Sequence, residues 1–209
     1  MKKIILTLAL TILFTVNSNA AALSPNTQFH FAILDQEFDP ELMNQLIDEG
    51  ANVNGYYKST EGPFTHLQAA YAIAINNNDL SRMNYLLEKK ADPDFTLDQR
   101  TILGRTVEHI YYANSKEELN TVVEMVKLLV DHDANPCALP NRAKKSAYER
   151  LKEINKETEI KSENLKFALN IHAYRSEKKI KIKKQLELKL KYIKASLSIM
   201  DLSFYCSSR

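Results

Sequence analysis

Three stretches of the sequence repeat one phrase: LIDEGANVN at residues 46–54, LLEKKADPD at 86–94 and LVDHDANPC at 129–137. An alanine holds the same place in each (Ala51, Ala91 and Ala134), so the spacings are 40 and 43 residues. Apolar residues precede each phrase at intervals of three and four, which indicates one face of an amphipathic helix. We therefore expect each phrase to end a helix and enter an equivalent turn. Leu87 and Val130 are expected in equivalent core positions.

The starts of these helices also carry sequence signals. Asp39 can cap a helix that has Pro40 at its first position, and Ser115 with Glu118 forms a capping box. Upstream helices are predicted to open at hydroxyl residues: Thr65, Thr101 and Ser146. The 209 residues include only four glycines and six prolines, and neither type follows Pro140. Because both residues interrupt helices, the composition favours an all-α protein.

Together these patterns resemble ankyrin repeats, whose unit opens with T-P-L-H-x-A. The opening is matched by Thr65, Leu67 and Ala70, and less fully by Thr101 and Leu103. The end of that family's second helix, LLxxGAD-V-N, is matched by Leu46, Ile47 and Gly50–Asn54, by Leu86, Leu87, Ala91 and Asp92, and by Leu129, Val130, Ala134 and Asn135. The resemblance covers roughly residues 28 to 155. A TPR-like array or a plain helical bundle is the competing interpretation.

Two departures from the family pattern affect the details of the expected fold. The spacings exceed the family's unit of about 33 residues, which predicts elongated helices and a longer turn near Ala113–Ser115. The proline of the opening motif is also missing. The predicted architecture is an all-α stack of about three to four ankyrin-like units, followed by a basic helical C-terminal extension. The predicted organisation is a signal peptide at 1–20, a repeat domain at 21–156 and the extension at 157–209.

The first twenty residues have the pattern of a cleavable secretory signal. Lys2 and Lys3 precede a mostly apolar stretch at 4–16, and small residues follow up to Ala20 and Ala22. This stretch is short for a membrane span, which needs about 20 apolar residues. The protein is therefore predicted to be exported, to the periplasm or beyond. The exported chain would keep Cys137 and Cys206, and the sequence leaves open whether they pair.

Charge divides the chain into two parts. Residues 21–141 carry 8 basic and 18 acidic side chains, a net −10, whereas residues 142–194 carry 17 and 7, a net +10. The apolar residues Ile182, Leu186, Leu190, Ile193 and Leu197 follow a helical stripe, although parts of the segment also alternate like a strand; the composition favours helix. This basic helix could cap the acidic stack, or it could contact an anionic membrane through Lys181, Lys183, Lys184 and Lys191.

The sequence carries no recognisable catalytic, cofactor or metal motif. The five histidines form neither an HExxH nor a zinc-like pattern, and no phosphate-binding glycine loop is present. We therefore predict a non-catalytic protein-interaction module with no cofactor, no evident small-molecule substrate and an unknown protein partner. The alternative is a peripheral protein that binds an anionic membrane through its basic helix. Export makes nucleic acid an improbable ligand.

The predicted binding residues follow the first two repeated phrases. The resemblance implies that these turns project as hairpins beside a concave face. Aromatic residues next to charges are typical of interface anchors, although Tyr56 or Phe95 could equally pack back onto the stack. The predicted partner-binding residues are Tyr56, Tyr57, Lys58, Phe95, Asp98 and Arg100.

Overall fold

A computed structural model of the protein describes residues 23–60, 62–97, 100–139, 144–171 and 177–201. In these ranges the chain forms eight helices and one hairpin. The helices are α1 (Pro25–Leu34), α2 (Pro40–Asp48), α3 (His66–Asn77), α4 (Ser81–Glu88), α5 (Ile102–Tyr112), α6 (Lys116–Asp131), α7 (Ala147–Ile171) and α8 (Glu177–Asp201). The antiparallel strands are β1 (Tyr56–Ser59) and β2 (Gly62–Thr65). The mostly helical character was predicted from the sequence, whereas the strand pair was not predicted from residue patterns. The predicted signal peptide lies outside the described residues.

The predicted helix starts are confirmed, because at each of them a side chain caps the first backbone N–H groups of the helix. The Asp39 carboxylate accepts from the backbone nitrogens of Glu41 and Leu42, at 2.9 and 3.1 Å. Thr65 and Ser115 each form a reciprocal capping box with the residue three positions on. The hydroxyls of Thr101 and Ser146 cap α5 and α7. These bonds satisfy donors that have no partner inside the helix.

The three repeated phrases have the same backbone geometry. The nitrogens of Ala51, Ala91 and Ala134 donate to the carbonyl oxygens five residues earlier, at 2.8, 2.9 and 2.9 Å. The residue before each alanine has positive φ: 100° at Gly50, 68° at Lys90 and 65° at Asp133. This pattern is a Schellman helix end. The prediction that the alanines lie in equivalent tight turns is therefore confirmed.

The core positions of the repeats differ in part from the prediction. Leu46, Leu86 and Leu129, which accept the hydrogen bonds from the alanines, are all buried. Leu87 is buried as well, but Val130 is only partly buried. The prediction that Leu87 and Val130 occupy equivalent core positions is therefore wrong, because the two side chains are not equally buried. The position that every repeat buries is the preceding leucine.

The helices stack in chain order. The pairs α1–α2, α3–α4 and α5–α6 are in contact, and α3 and α5 link consecutive pairs. The predicted elongation of the helices is seen in α6, which has 16 residues, whereas the equivalent helix α4 has eight. The predicted longer turn at Ala113–Ser115 is a short connection of three residues. Helix α7 packs on α5, and the predicted boundary after residue 156 falls inside it.

Helix α8 packs against both α6 and α7. Its buried face contains Ile193, Ser196 and Met200. The small polar residues Thr158 and Ser162 of α7 are buried as well. The basic segment is thus a helix, as its composition predicted. The predicted apolar stripe is wrong at its first member, because Ile182 is 40% exposed whereas Ile193 is fully buried.

A buried arginine fastens the second helix pair to the first. Arg82 on α4 donates from Nε to the carbonyl oxygen of Ile33 at 2.9 Å and from Nη2 to that of Asp35 at 2.6 Å. Its Nη1 pairs with Asp79 at 3.0 Å, and its guanidinium lies 5.2 Å from the Phe38 ring centre. These bonds satisfy carbonyl groups at the end of α1 that the helix leaves open.

Candidate functional site: a groove along the inter-repeat loops

The loops that follow the repeated alanines share one local turn. In each loop, the residue after the alanine accepts a hydrogen bond through its side-chain oxygen from the backbone nitrogen two residues later, at 2.9 Å. Such bonds are Asx turns, for which Asn and Asp are the suitable residues. The three donor–acceptor pairs are Asn54 with Asn52, Asp94 with Asp92, and Cys137 with Asn135.

A second set of hydrogen bonds joins each loop to the next. Asn26 of α1 accepts from the backbone nitrogen of Asn52 at 2.6 Å. Asn54 then accepts from Asp92 at 2.7 Å. Asp94 accepts from Asn135, with its nearer oxygen at 3.0 Å. These relay bonds, as we name them, hold the loops in one row at a fixed spacing.

The last member of the row differs chemically from the others. Cys137 stands where Asn54 and Asp94 supply the acceptor of a relay bond, and it is disulfide-bonded. Cys206, the second cysteine of the sequence, lies outside the described residues. Within the relay, burial raises the pKa of the Asp94 carboxyl, while the bond from Asn135 acts in the opposite direction. A carboxylate in this position is therefore partly desolvated.

The hairpin after the first loop carries three of the predicted binding residues. Tyr56 and Lys58 are exposed, whereas Tyr57 is partly buried. The Tyr57 ring stacks on His30 with centroids 4.6 Å apart and an angle of 11° between the planes. Of the two predicted tyrosines, Tyr56 is exposed to solvent and could contact a partner, whereas the Tyr57 ring packs on α1.

The residue before the hairpin must be glycine because its surroundings leave no space for a side chain. A Cβ atom on Gly55 would lie 2.7 Å from the Asn52 carbonyl oxygen and 2.9 Å from Cε1 of His66. The His66 ring is fully buried, packs 4.9 Å from the Phe29 ring, and lies 5.8 Å from that of His30. Burial, reinforced by the neighbouring His30, lowers the pKa of His66 to about 4. Neither ring nitrogen makes a hydrogen bond of normal geometry in the described part of the chain, although nearby backbone groups, Asn52 first among them, oppose the lowering of the pKa.

The hairpin and the two neighbouring loops enclose a groove of about 630 Å³. It brings together four of the predicted residues: Tyr56, Tyr57, Lys58 and Phe95. Its remaining wall consists of Gly55 and polar residues of α1 and the first loop, namely Ser24, Asn26, Thr27, Asn52 and Asn54. The sequence analysis did not select these polar residues, although the spacing of Asn52 and Asn54, repeated by Asp92 and Asp94, could have indicated them.

Two predicted partner-binding residues are not placed in the groove. Arg100 is exposed, and its guanidinium pairs with the Glu108 carboxylate of α5. Asp98 lies outside the described residues. The groove therefore combines aromatic rings, amides and one lysine, which can recognise an extended polypeptide through both apolar contacts and hydrogen bonds.

The basic face of α8 lies apart from this groove. Lys181, Lys184 and Lys191 are exposed, and Lys183 is 3.9 Å from Glu187 on the same helix. In the described ranges, no lysine of α8 forms an ion pair with the acidic segment 23–139; the recorded inter-helix pair joins Lys194 to Glu159 of α7 at 3.5 Å. Within the described residues, the contacts that dock α8 on the stack are apolar burial and hydrogen bonds, such as those of Gln185 with Asn114 and Tyr192 with Asn120.

The described residues also bear on metal binding and on membrane crossing. Over the described ranges, the His, Cys, Asp and Glu side chains form no group of three suited to a metal ion. The described helices include none with the length and hydropathy that crossing a membrane requires. The sequence matches no protein-family model, and a search of curated proteins finds no relative.

Proposed function

We propose that the chain is an exported ankyrin-repeat protein that binds a partner protein without catalysis. The observation that carries this proposal is the groove, in which residues from consecutive loops converge. Tyr56 and Phe95 supply the aromatic surface, and Lys58 adds charge. Aromatic residues lose few degrees of freedom on binding and often dominate interface energies. The recurring helix ends and relay bonds support the family assignment, because stacked units repeat their contacts.

Rigid loops are what such a surface needs. The relay bonds fix the distance between the loop of Asn54 and the loop of Asp94, so the groove is preformed. A preformed site avoids the cost of ordering loops on binding. The disulfide of Cys137 supports export, since disulfides persist in oxidising compartments.

Site-specific crosslinking tests the groove as an interface. A photoreactive amino acid at Tyr56 should capture a discrete partner from the native envelope or secreted fraction. Capture should fall when Phe95→Ala or Lys58→Ala is added. The control position is Tyr112 on α5, which is 67% exposed and outside the groove. Equal capture of the same partner from Tyr112 would contradict the proposal.

Export is tested separately. The exported protein should begin near Ala21 or Leu23, because small residues follow a short apolar stretch. N-terminal sequencing of protein from the native envelope provides the measurement. An intact Met1 would show that the segment is retained.

A second candidate function is binding to an anionic membrane surface through α8. The observation that favours it is the exposure of Ile180 and Ile182, at 37% and 40%, on either side of the exposed Lys181. Apolar side chains among lysines suit the interface of an anionic bilayer. Co-sedimentation with vesicles should then be salt-sensitive and lost after Ile180→Ser and Ile182→Ser. Identical binding to neutral vesicles would exclude this electrostatic mode.

A further inference from the structure

A second cavity lies under the C-terminal helices, away from the loop groove. It has a volume of about 240 Å³ and lies between α5, α7 and α8. Its wall includes Ile110, Ile154 and Ile193, each at most 1% exposed. The hydroxyl of Thr158, which also lines this wall, already donates to the Ile154 carbonyl oxygen at 2.6 Å. The interior of the cavity is therefore apolar.

The mouth of the cavity carries two ammonium groups. Lys161 and Lys189 both line it, and both contact Tyr111. Nζ of Lys161 lies 3.2 Å from the Tyr111 hydroxyl and 4.9 Å from its ring centre. Nζ of Lys189 donates to the Tyr111 carbonyl oxygen at 2.8 Å. Tyr111 thus contacts two ammonium groups, one at its side-chain hydroxyl and one at its backbone carbonyl.

These two charges are not neutralised locally. Among the described residues, no carboxylate lies within ion-pair distance of Lys161 or Lys189. Burial and the neighbouring Lys161 lower the pKa of Lys189, while Glu118 opposes the shift from a distance. The Glu118 carboxylate is already engaged by the backbone nitrogens of Asn114 and Ser115. Each ammonium has three donor hydrogens, so donors remain for a further acceptor.

We propose that this cavity binds a small anionic amphiphile, with its carboxylate or phosphate head between Lys161 and Lys189 and its apolar tail against Ile110, Ile154 and Ile193. An anion would relieve the repulsion between the two lysines, and a tail would fill space that is walled by isoleucine. The volume sets the size of the tail. At about 30 Å³ per water-sized group, it holds roughly eight non-hydrogen atoms.

Calorimetric titration of the mature protein with a series of straight-chain carboxylates tests this site. Affinity should rise from butanoate to octanoate and then stop rising at dodecanoate, because a longer tail exceeds the cavity. Octyl phosphate distinguishes a phosphate-preferring site from a carboxylate-preferring one; tighter binding of either head supports the site. Neutral 1-octanol should bind at least about tenfold more weakly than octanoate, because it lacks the charge-assisted bonds.

Lysine variants locate the binding. Lys189→Met and Lys161→Met keep the length of the side chain and remove its charge, so each should weaken octanoate binding by about tenfold or more. The matched control is Lys194→Met, since Lys194 lies on α8 but pairs with Glu159. Circular dichroism verifies that each variant is folded. Absence of saturable octanoate binding, equal binding of 1-octanol, or unchanged affinity in both Lys161→Met and Lys189→Met would overturn the proposal.

Discussion

The side-chain oxygen of Asn54 accepts a hydrogen bond from the backbone nitrogen of Asp92, and the two atoms are 2.7 Å apart. This bond couples the loops of consecutive repeats, whose helices are also in contact. Since a repeat array gains its stability from interfaces between neighbours, such a bond contributes to cooperativity as well as to loop position.

Asn54→Ala should lower the free energy of unfolding by about 1 kcal/mol, because the Asp92 nitrogen loses its partner. Asn54→Asp keeps an acceptor oxygen in place and should remain closer to the wild type. Urea unfolding followed by circular dichroism measures both variants. If alanine and aspartate have the same effect, the relay bond is not what stabilises the loop.

Replacing Arg82 should lower the free energy of unfolding more than replacing Asn54 does. Arg82→Ala should cost about 2–4 kcal/mol, because it leaves the carbonyl groups of Ile33 and Asp35 without their charged donor. Arg82→Lys should not restore the loss, since a lysine cannot reproduce the planar fork of a guanidinium. Chemical denaturation gives the comparison, with exposed Arg100→Ala as a control that should cost below about 1 kcal/mol. Full rescue by lysine would show that charge alone matters.

The leucine that every repeat buries should contribute more to the free energy of unfolding than the residue after it, as Leu129 and Val130 illustrate. Leu129→Ala should cost about 2–5 kcal/mol, because the side chain is fully buried. Leu87→Ala is expected to cost a similar amount. Val130→Ala is the matched control, one residue along the same helix and only partly buried, and it should cost clearly less. Thermal melts of the three variants test the order, and a Val130→Ala loss equal to that of Leu129→Ala would contradict it.

The buried His66 makes stability depend on pH. Its folded pKa of about 4 is below the ordinary value of 6.5, so the unfolded chain binds the proton more readily. The contribution of neutral His66 to the free energy of unfolding is complete above about pH 6.5 and is lost as the pH falls towards 4. The total loss is about 3 kcal/mol. His66→Phe should reduce this loss between pH 6.5 and 4, measured by urea unfolding at several pH values. An unchanged slope in His66→Phe would contradict the assignment.

The sequence was informative where one local motif repeats. The alanine of each phrase marks the same hydrogen-bonded helix end, and hydroxyl and carboxylate caps mark the starts, because both features depend on residues close in sequence. Asn52 and Asn54 belong to the same local pattern and could have been selected. The groove requires distances between loops, which the spacing of residues along the chain does not provide.

The contacts of Arg82, His66 and α8 could not be predicted because they depend on how distant elements meet. Arg82 bonds to carbonyl groups almost fifty residues earlier. The buried face of α8 includes a serine, Ser196, which a pattern of apolar residues does not identify. The same pattern predicted that Ile182 belongs to the buried stripe, although its side chain is 40% exposed. Small polar residues can form a close helix interface that a hydrophobic pattern does not show.

The same docking geometry determines what reversal of the α8 charges should do. The combined variant Lys181→Glu, Lys183→Glu, Lys184→Glu and Lys191→Glu should change the free energy of unfolding by less than about 1 kcal/mol. Three of these lysines are exposed, and Lys183 pairs only within its own helix among the described residues. Ile193→Ala is the comparison; it opens the fully buried contact of α8 with the stack and should cost about 2–4 kcal/mol. Melts at low and high salt provide the measurement. A large loss in the reversed variant at low salt, restored by high salt, would show that attraction between the basic helix and the acidic repeats holds α8 in place.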